Sequence, residues 1–275
     1  MWMTRNLTVE VAGASDKGQG KILMKRYIFF FAIVLAGSMA SADDIILVGD
    51  PWCPYNCSWN DENPGFMVEI ARTVLKQNGH TVKYFNVPWA RAIYGTREGQ
   101  YDGIIGTGRT ETPDFVFPDI ELGLARHTFY VKKGNPWRYD GPDSLKTITL
   151  GVIKNYSYGD LFNEYIVPNQ DNPKRIQVIS GENGLALNIK KLEENKIEAI
   201  IEDRSVFQHY LQETNMANNF SEAGIAYTEN VYIAFSPKLK KAPAYAEMLT
   251  KGMKALRKSK RLSEILEKYG LEDWK

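Results

Sequence analysis

The segment Tyr101–Pro118, YDGIIGTGRTETPDFVFP, holds residues whose types suit the capture of a small anion. An apolar strand is expected at Gly103–Ile105, and it leads into a turn-rich loop that carries Thr107 and Arg109. A guanidinium group can hold a carboxylate through two hydrogen bonds, and backbone N–H groups of the loop can add to that contact. The segment therefore predicts an anion site, and the alternative is a surface arginine between a strand and a helix.

The N-terminus has the order of features expected of a secretory signal peptide. A basic start, MKR, precedes the apolar run Tyr27–Gly37, which is too short to span a bilayer comfortably, and Ala40–Ala42 fits a small-residue cleavage site. We expect residues 1–42 to comprise an upstream extension and a signal peptide at 24–42. The mature chain is then periplasmic and starts near Asp43, whereas a buried N-terminal helix is the alternative.

Composition and charge give no indication of a nucleic-acid partner. The 275 residues are 44% hydrophobic and 24% charged, which is ordinary for a globular protein. The chain from residue 43 onward has 29 basic and 31 acidic residues, hence a net charge of −2, and it contains no basic run. We therefore expect no nucleic-acid partner, and we interpret the basic residues of the C-terminal segment as a solvated helix face of a monomer.

Two cysteines, Cys53 and Cys57, lie in the segment WCPYNC after the first expected strand. In an exported protein this C-x3-C spacing favours a local disulfide over a metal site. A zinc site usually has four ligands, and a redox motif is normally C-x-x-C. The three histidines are scattered, so we assign them no role and predict neither a metal nor a cofactor.

Apolar periodicity predicts strands and helices that alternate along the mature chain. This order favours parallel sheets covered by helices. The pattern restarts after a turn-rich stretch at 132–142, which predicts two α/β lobes rather than one sheet. The expected elements of the first unit are strands at Ile45–Val48, Thr81–Asn86 and Gly103–Ile105 with helices at Met67–Asn78 and Pro88–Glu98. Those of the second are strands at Ile148–Val152, Arg175–Ile179 and Ala199–Ile201, followed by a late strand at Val231–Ser236 and a helical tail.

With these elements in order, the chain resembles the family 3 bacterial periplasmic solute-binding proteins, which serve polar amino-acid ABC transporters. The resemblance implies the type II periplasmic-binding fold, in which two lobes, each a mostly parallel sheet with flanking helices, enclose a ligand cleft. Lobe 1 would comprise 43–125 and 232–275, and lobe 2 would comprise 126–231. The resemblance rests on GFMVEIARTVL at 65–75, the strand and loop at 101–118, SLKTITLGVIKNYSYG at 144–159, KIEAIIED at 196–203 and the segment 231–271.

The resemblance also implies how a ligand carboxylate would be held. Arg109 lies six residues before Phe115, as does the family arginine that grips the ligand α-carboxylate. Asn155, Tyr156 and Ser157 occupy the turn at a helix N-terminus that meets the same carboxylate in the family. A helix N-terminus favours an anion, which places Ser157 and Tyr158 at the ligand.

Further contacts are implied for the rest of the ligand. Asp203 matches the family's acidic residue for the amino group, and its alternative role is to cap the helix that follows. Trp52 and Tyr55 are the candidates for an aromatic contact after the first strand. Trp89 and Arg91 line the cleft through stacking and pairing, or else they are a core residue and a surface charge.

The expected function is binding without catalysis. The lobes, joined by crossing segments near 118–131 and 226–236, close on an amino acid or related carboxylate by hinge motion and present it to a membrane permease. Two other classes stay open. One is an enzyme on the same scaffold, such as a dehydratase, with Glu111, Glu202 or Asp203 as the acid or base. The other is a ligand-sensing protein that acts through a membrane receptor.

Overall fold

The computed structural model describes residues 42–181 and 183–275. The predicted upstream extension and signal peptide, apart from Ala42, lie outside the described residues. Within the described ranges, no helix has the length and apolar character needed to cross a membrane.

Among the described residues, eight strands form a mixed sheet in the spatial order β2-β1-β3-β8-β4-β7-β5-β6. The strands are β1 (Asp44–Gly49), β2 (Thr81–Asn86), β3 (Gly103–Thr107), β4 (Gly123–Lys132), β5 (Leu150–Ile153), β6 (Ile176–Ile179), β7 (Ala199–Asp203) and β8 (Phe220–Phe235). The helices are α1 (Phe66–Gln77), α2 (Trp89–Arg97), α3 (Val167–Asn169), α4 (Gly184–Glu193), α5 (Arg204–Glu213), α6 (Ala242–Lys258) and α7 (Arg261–Glu267). Short irregular helices also occur at Pro142–Thr147 and Phe162–Ile166.

Two groups of parallel strands lie at opposite ends of the sheet. β1 pairs in parallel with β2 and β3, and β5 pairs in parallel with β6 and β7. Parallel neighbours need a crossover connection, and helices such as α1, α2 and α4 supply it here. The predicted α/β class, with two parallel groups and flanking helices, is confirmed.

Two long antiparallel strands join the groups. β8 pairs with β3 through its last residues and with β4 along most of its length, while β4 also pairs with β7. The two predicted sheets are continuous through β8, because β3 pairs with its residues 232–235 and β4 pairs with its residues 220–231. The register of β4 against β8 shifts at Thr128, and such bulges bend and twist a strand pair. The division into lobes at 125/126 and 231/232 stays a prediction.

Each parallel group has its own apolar core. In the first, the buried face of α1 packs with α6 and α7, and α1 and α6 approach closely: a Cβ on Gly252 would lie 2.3 Å from a methyl carbon of Val74. In the second, the buried apolar residues form two clusters: one contains the fully buried Phe129, and in the other Tyr130 stacks on Phe207 with ring centroids 3.8 Å apart. Burying one such side chain contributes about 1.5–3 kcal/mol, so each core holds its helices to its strands.

Both ends of the described chain pack against the first group. The Nζ of Lys241, just before α6, lies 2.6 Å from the Oδ1 of Asp43, just before β1. At the other end, the Tyr269 hydroxyl donates a 2.7 Å hydrogen bond to Glu69 of α1. The first and last described segments therefore belong to the same half of the molecule.

The loop after β1 is a compact turn. Cys53 and Cys57 form a disulfide there, which is the pairing that their spacing favours. The Trp52 backbone N–H donates to the Asn56 carbonyl at 2.7 Å, and the Tyr55 N–H donates to the Trp52 carbonyl at 3.0 Å. These closures fix the side chains of Trp52 and Asn56 at one end of the sheet.

Candidate ligand-binding site

A cavity of about 50 Å³ lies between the two parallel groups. Its lining includes Asp50 and Trp52 after β1, Tyr156 after β5, and Glu202 near the end of β7, while the crossing strand β4 contributes His127. Ligands of α/β sheets bind outside the carboxyl ends of the strands, which is where this cavity opens. Its position makes it the candidate site.

The lining of the cavity is acidic. Four of its residues carry carboxyl groups, namely Asp50, Glu111, Glu202 and Glu229. No lysine or arginine is among the described residues that line it. A wider groove continues outward from the cavity, and its one lysine, Lys154, is exposed. The described residues hold no cluster of three or more His, Cys, Asp or Glu side chains arranged to bind a metal ion.

Glu202 is the most enclosed of these carboxyl groups, with 5% of its surface exposed. The indole Nε1 of Trp52 donates to its Oε1 at 3.3 Å, and the Asp203 backbone N–H donates to the same oxygen at 2.9 Å. Burial raises the pKa of Glu202 from 4.5 to about 7, and the two hydrogen bonds oppose that shift only in part. Ionised Glu202 would therefore be stabilised further by a cation in the cavity.

Glu111 is held in a similar way on the other side. The indole Nε1 of Trp89 donates to its Oε1 at 2.8 Å, and the Thr107 hydroxyl lies 3.3 Å from its Oε2. Burial, together with the nearby charge of Glu229, raises the pKa of Glu111 from 4.5 to about 7. Predicted site residue Thr107 is buried behind Glu111 and is not part of the cavity lining.

Aromatic rings enclose the acidic groups. Trp52 stacks on Tyr55 at 4.2 Å between centroids and lies 6.5 Å from the His127 ring, which in turn stacks on Tyr227 at 4.2 Å. The His127 Nε2 is 3.0 Å from Oε1 of Glu229. This stack runs from the loop after β1 to the crossing strands β4 and β8.

Hydrogen bonds join the two halves across the cavity. The Tyr156 hydroxyl, after β5, donates to the Oδ2 of Asp50, after β1, at 2.9 Å. Together with the bond from Trp52 to Glu202, it connects residues that follow strands of opposite groups. The structure therefore shows the two halves in contact around the cavity.

Asn56 contributes a hydrogen-bond acceptor, its side-chain Oδ1, to the cavity lining. Its side chain is 1% exposed, and its Nδ2 donates to the Asp50 carbonyl at 2.6 Å and to the Tyr84 hydroxyl at 3.1 Å. Because a backbone carbonyl only accepts, that bond fixes the orientation of the amide. The Oδ1 then has no hydrogen-bond partner among the described residues.

Four of the residues predicted to contact the ligand line the cavity: Trp52, Trp89, Ser157 and Tyr158. Tyr158 follows β5, and its hydroxyl accepts a 2.6 Å hydrogen bond from the Ile153 N–H. The Ser157 carbonyl accepts a bond from the Tyr227 hydroxyl at 3.0 Å. These contacts hold the turn after β5 against the cavity, and the irregular helix at Phe162–Ile166 follows this turn.

Arg109 lies elsewhere, in contrast to the expectation that it grips a carboxylate. It is exposed, and its Nη2 donates to the Pro118 carbonyl at 2.6 Å. Its guanidinium carbon also lies 5.0 Å from the ring centroid of Phe117 and 4.8 Å from that of Tyr232. These contacts turn the side chain away from the cavity lining. Arg91, on the exposed face of α2, is also outside that lining.

Asp203 caps the N-terminus of α5, which was the alternative to the ligand contact predicted from the sequence. Its Oδ1 accepts from the N–H groups of Ser205 and Val206 at 2.8 and 3.0 Å, and its Oδ2 accepts from the Arg126 N–H at 2.8 Å. The Tyr55 hydroxyl lies 3.3 Å from the same Oδ2 and 2.7 Å from a backbone carbonyl. Asp203 and Tyr55 are thus fully engaged beneath the cavity and are not among its lining residues.

Sequence reasoning missed several lining residues, namely Asp50, Asn56, Gly106, His127 and Glu229. Asp50 and Gly106 stand where predicted strands end, and that position was the available signal. His127 and Glu229 lie on the crossing strands β4 and β8. Neither residue belongs to a sequence motif, so neither could be predicted as a site residue.

Two α/β halves, joined by a pair of long strands and with a cavity between them, define a type II periplasmic-binding fold. The chain belongs to the bacterial extracellular solute-binding proteins, family 3, whose family model matches residues 45–272. No match was found among curated protein sequences.

Solved structures share this fold at low sequence identity. A mutant arginine-binding protein from T. maritima has 16% identity and a TM-score of 0.65, covering 83% of this chain and 96% of that one. A structure from work on glutathione import via GshT and the cystine ABC importer TcyBC of Streptococcus mutans has 14% identity and a TM-score of 0.69, covering 83% and 95%. An ancestral amino acid-binding protein, a precursor of cyclohexadienyl dehydratase, has 16% identity and a TM-score of 0.62, covering 82% and 95%.

Proposed function

We propose that this protein is exported through the signal peptide at 24–42 and captures a small polar solute in the periplasm for delivery to an ABC-type permease. Family membership supports the solute-binding role, and the relative from the TcyBC importer work supports the kind of partner. The observation that carries the proposal is the cavity lined by residues from both halves.

The proposed mechanism is hinge closure. Lobe 1 at 43–125 and 232–275 and lobe 2 at 126–231 would rotate about β4 and β8, the two strands that cross between them. The bonds from Tyr156 to Asp50 and from Trp52 to Glu202 would form as the lobes meet. A ligand that contacts both lobes favours the closed state, because it binds that state better than the open one.

A thermal-shift screen of the mature chain, residues 43–275, tests capture. The panel contains amino acids, amines and small organic acids, and a solute that binds the folded state must raise the melting temperature. Small-angle scattering with the best solute should then show a smaller radius of gyration. A panel with no stabilising solute would contradict the proposal. Delivery is tested by solute-dependent stimulation of ATP hydrolysis in a reconstituted permease.

A second candidate function is an enzyme on this scaffold. Burial raises the pKa values of Glu111 and Glu202 to about 7, which is the range that suits a general acid or base at neutral pH. The ancestral relative described as a dehydratase precursor shows that the scaffold is compatible with such a change. Release of product from a bound solute, lost in Glu111→Gln or Glu202→Gln, would favour the enzyme. An unchanged solute after prolonged incubation would favour binding alone.

A further inference from the structure

We infer that the cavity selects a small organic cation without a carboxylate, such as a primary amine or short diamine, over the corresponding amino acid. The inference rests on the proposed solute-binding function and narrows its ligand class. Three independent features of the cavity wall carry it: its charge, an unpaired acceptor and its aromatic faces.

The charge of the wall opposes a carboxylate. Asp50, Glu111, Glu202 and Glu229 line the cavity, and none of the described lining residues is a lysine or arginine. His127, the remaining titratable side chain with basic character, lies 3.0 Å from Glu229 and is engaged there. A solute carboxylate would enter a low-dielectric space among four carboxyl groups and would be repelled by each one that is ionised, whereas an ammonium group would be attracted by it.

The guanidinium group that the family resemblance assigns to a carboxylate has its contacts outside the cavity lining. Arg109 donates to the Pro118 carbonyl at 2.6 Å and lies over the rings of Phe117 and Tyr232. None of the described residues that line the cavity therefore carries a guanidinium group that could hold an amino-acid carboxylate through two hydrogen bonds. Ser157 lies at the turn after β5, and its backbone carbonyl already accepts from the Tyr227 hydroxyl.

The unpaired acceptor identifies the complementary group as a donor. The Oδ1 of Asn56 has no hydrogen-bond partner among the described residues, although the side chain is 1% exposed and its Nδ2 is satisfied twice. A buried acceptor left unpaired is unfavourable, so a ligand N–H would remove a penalty that a carboxylate oxygen would increase. The lining thus has a neutral acceptor to add to its four carboxyl groups.

A glycine leaves space beside this acceptor. At Gly106, which has φ +97°, an added Cβ would lie 3.3 Å from the Asn56 Oδ1 and 3.6 Å from Cε3 of Trp52. The lack of a side chain at this position opens the cavity between the acceptor and the indole. An ammonium group in that space would meet the amide oxygen on one side and an aromatic face on the other.

Aromatic faces complete the match. Trp52, Trp89, Tyr156 and Tyr158 all line the cavity. A cation over an aromatic face is attracted by the ring quadrupole, most strongly over tryptophan and in desolvated sites. The methylene groups of a short amine would pack on the same rings. The wall is therefore complementary to both parts of such a solute.

Matched ligand pairs test the inference on residues 43–275 by isothermal calorimetry. The pairs are agmatine and arginine, 1,4-diaminobutane and ornithine, and 1,5-diaminopentane and lysine, which differ within each pair by one carboxylate. We expect the amine of the tightest-binding pair to bind at least tenfold more tightly than its amino acid. An amino acid that binds as tightly as its amine would overturn the inference and leave the proposed function standing, as would tight binding of an organic acid.

Variants distinguish the role of the cavity charge from a general effect. Glu202→Gln and Glu229→Gln each remove one negative charge at nearly constant shape, and each should weaken amine binding at least tenfold. The second variant provides the test if the first does not fold. Glu213→Gln, at the exposed end of α5, is the matched control and should bind as the parent does. Unchanged amine affinity in both cavity variants would overturn the inference, and a panel in which nothing binds would overturn the proposed function as well.

Discussion

The indole Nε1 of Trp52 donates a hydrogen bond to the Oε1 of Glu202 at 3.3 Å, and the two residues are 150 positions apart in the chain. Trp52 belongs to the turn after β1, and Glu202 belongs to β7 in the other parallel group. The bond places an aromatic face and an enclosed carboxyl group side by side at the cavity. It also links the two parallel groups, because each residue of the pair belongs to a different group.

Trp52→Phe should weaken solute binding by about tenfold. The change removes the donor to Glu202 and keeps an aromatic ring against Tyr55, and a hydrogen bond to a charged group contributes about 1.5–3 kcal/mol. Calorimetry with the best solute measures the loss. Trp59→Phe, at an exposed ring, is the control and should have parental affinity. Equal affinity in the two variants would show that the bond does not contribute to the bound state.

The unliganded protein should be more stable at pH 5 than at pH 8. Burial raises the pKa values of Glu111 and Glu202 from 4.5 to about 7, so the folded state binds more protons than the unfolded state between these values. The free energy of unfolding therefore falls as pH rises from 4.5 to 7, by up to about 3 kcal/mol for each group. Urea unfolding at several pH values measures the slope.

The Glu111→Gln, Glu202→Gln double variant isolates this effect. Its stability should change much less over the same pH range, because neither replacement titrates. A slope equal to that of the parent protein would assign the effect to other groups. Carboxyl groups whose pKa is lowered by ion pairs, such as Asp114 beside Arg97, lose their contribution only below pH 4, outside this window.

Affinity for an amine should have the opposite pH dependence. A cation binds most strongly when Glu111 and Glu202 are ionised, and their pKa values near 7 in the unliganded protein mean that both release protons on binding below that pH. The dissociation constant should therefore fall from pH 5 to pH 8. Calorimetry in buffers of different ionisation enthalpy counts the released protons. Proton uptake would contradict the assignment.

Asp203→Ala should reduce stability by about 1–3 kcal/mol. The change removes the cap of α5 and leaves the N–H groups of Ser205, Val206 and Arg126 without their acceptor. Thermal or urea unfolding measures the loss. Asp171→Ala, at an exposed position, should be neutral within about 0.5 kcal/mol. A loss of solute affinity with unchanged stability would instead favour the direct ligand contact predicted from the sequence.

Arg109→Ala should leave solute affinity within about twofold of the parent value. The residue is exposed, and its contacts are with the Pro118 carbonyl and two rings outside the cavity. Cation–π contacts at exposed sites contribute about 0.5–1 kcal/mol, so the loss should be a small decrease in melting temperature. A large loss of affinity would instead support the direct contact between Arg109 and the ligand that was predicted from the sequence.

Local patterns predicted much of the fold. Helix α1 was expected at Met67–Asn78 and lies at Phe66–Gln77, because apolar spacing and the following glycine are both local signals. The late strand was expected from Val231, whereas β8 begins at Phe220. The missed segment alternates irregularly between buried and exposed residues, and it is a strand because β4 pairs with it. That pairing is not visible in a local window.

The composition of the site was less predictable for the same reason. Trp52 and Ser157 were found because they follow predicted strands. The acidity of the cavity comes from positions 50, 111, 202 and 229, which are distant in sequence and meet only in the folded sheet. The orientation of Arg109 depends on one backbone carbonyl, that of Pro118, and residue types alone do not determine such a contact.

The packing of both chain ends against the first parallel group has a practical consequence for measurement. Asp43 pairs with Lys241, and Tyr269 bonds to Glu69, so residues near either end are anchored to the same half. A surface tether or a fluorescent fusion at one terminus would therefore hold that half and leave the half containing β5, β6 and β7 unattached. With a second dye on the exposed residue Lys174, the proposed closure of the lobes would change the distance between the dyes, and the protein would report its own solute optically.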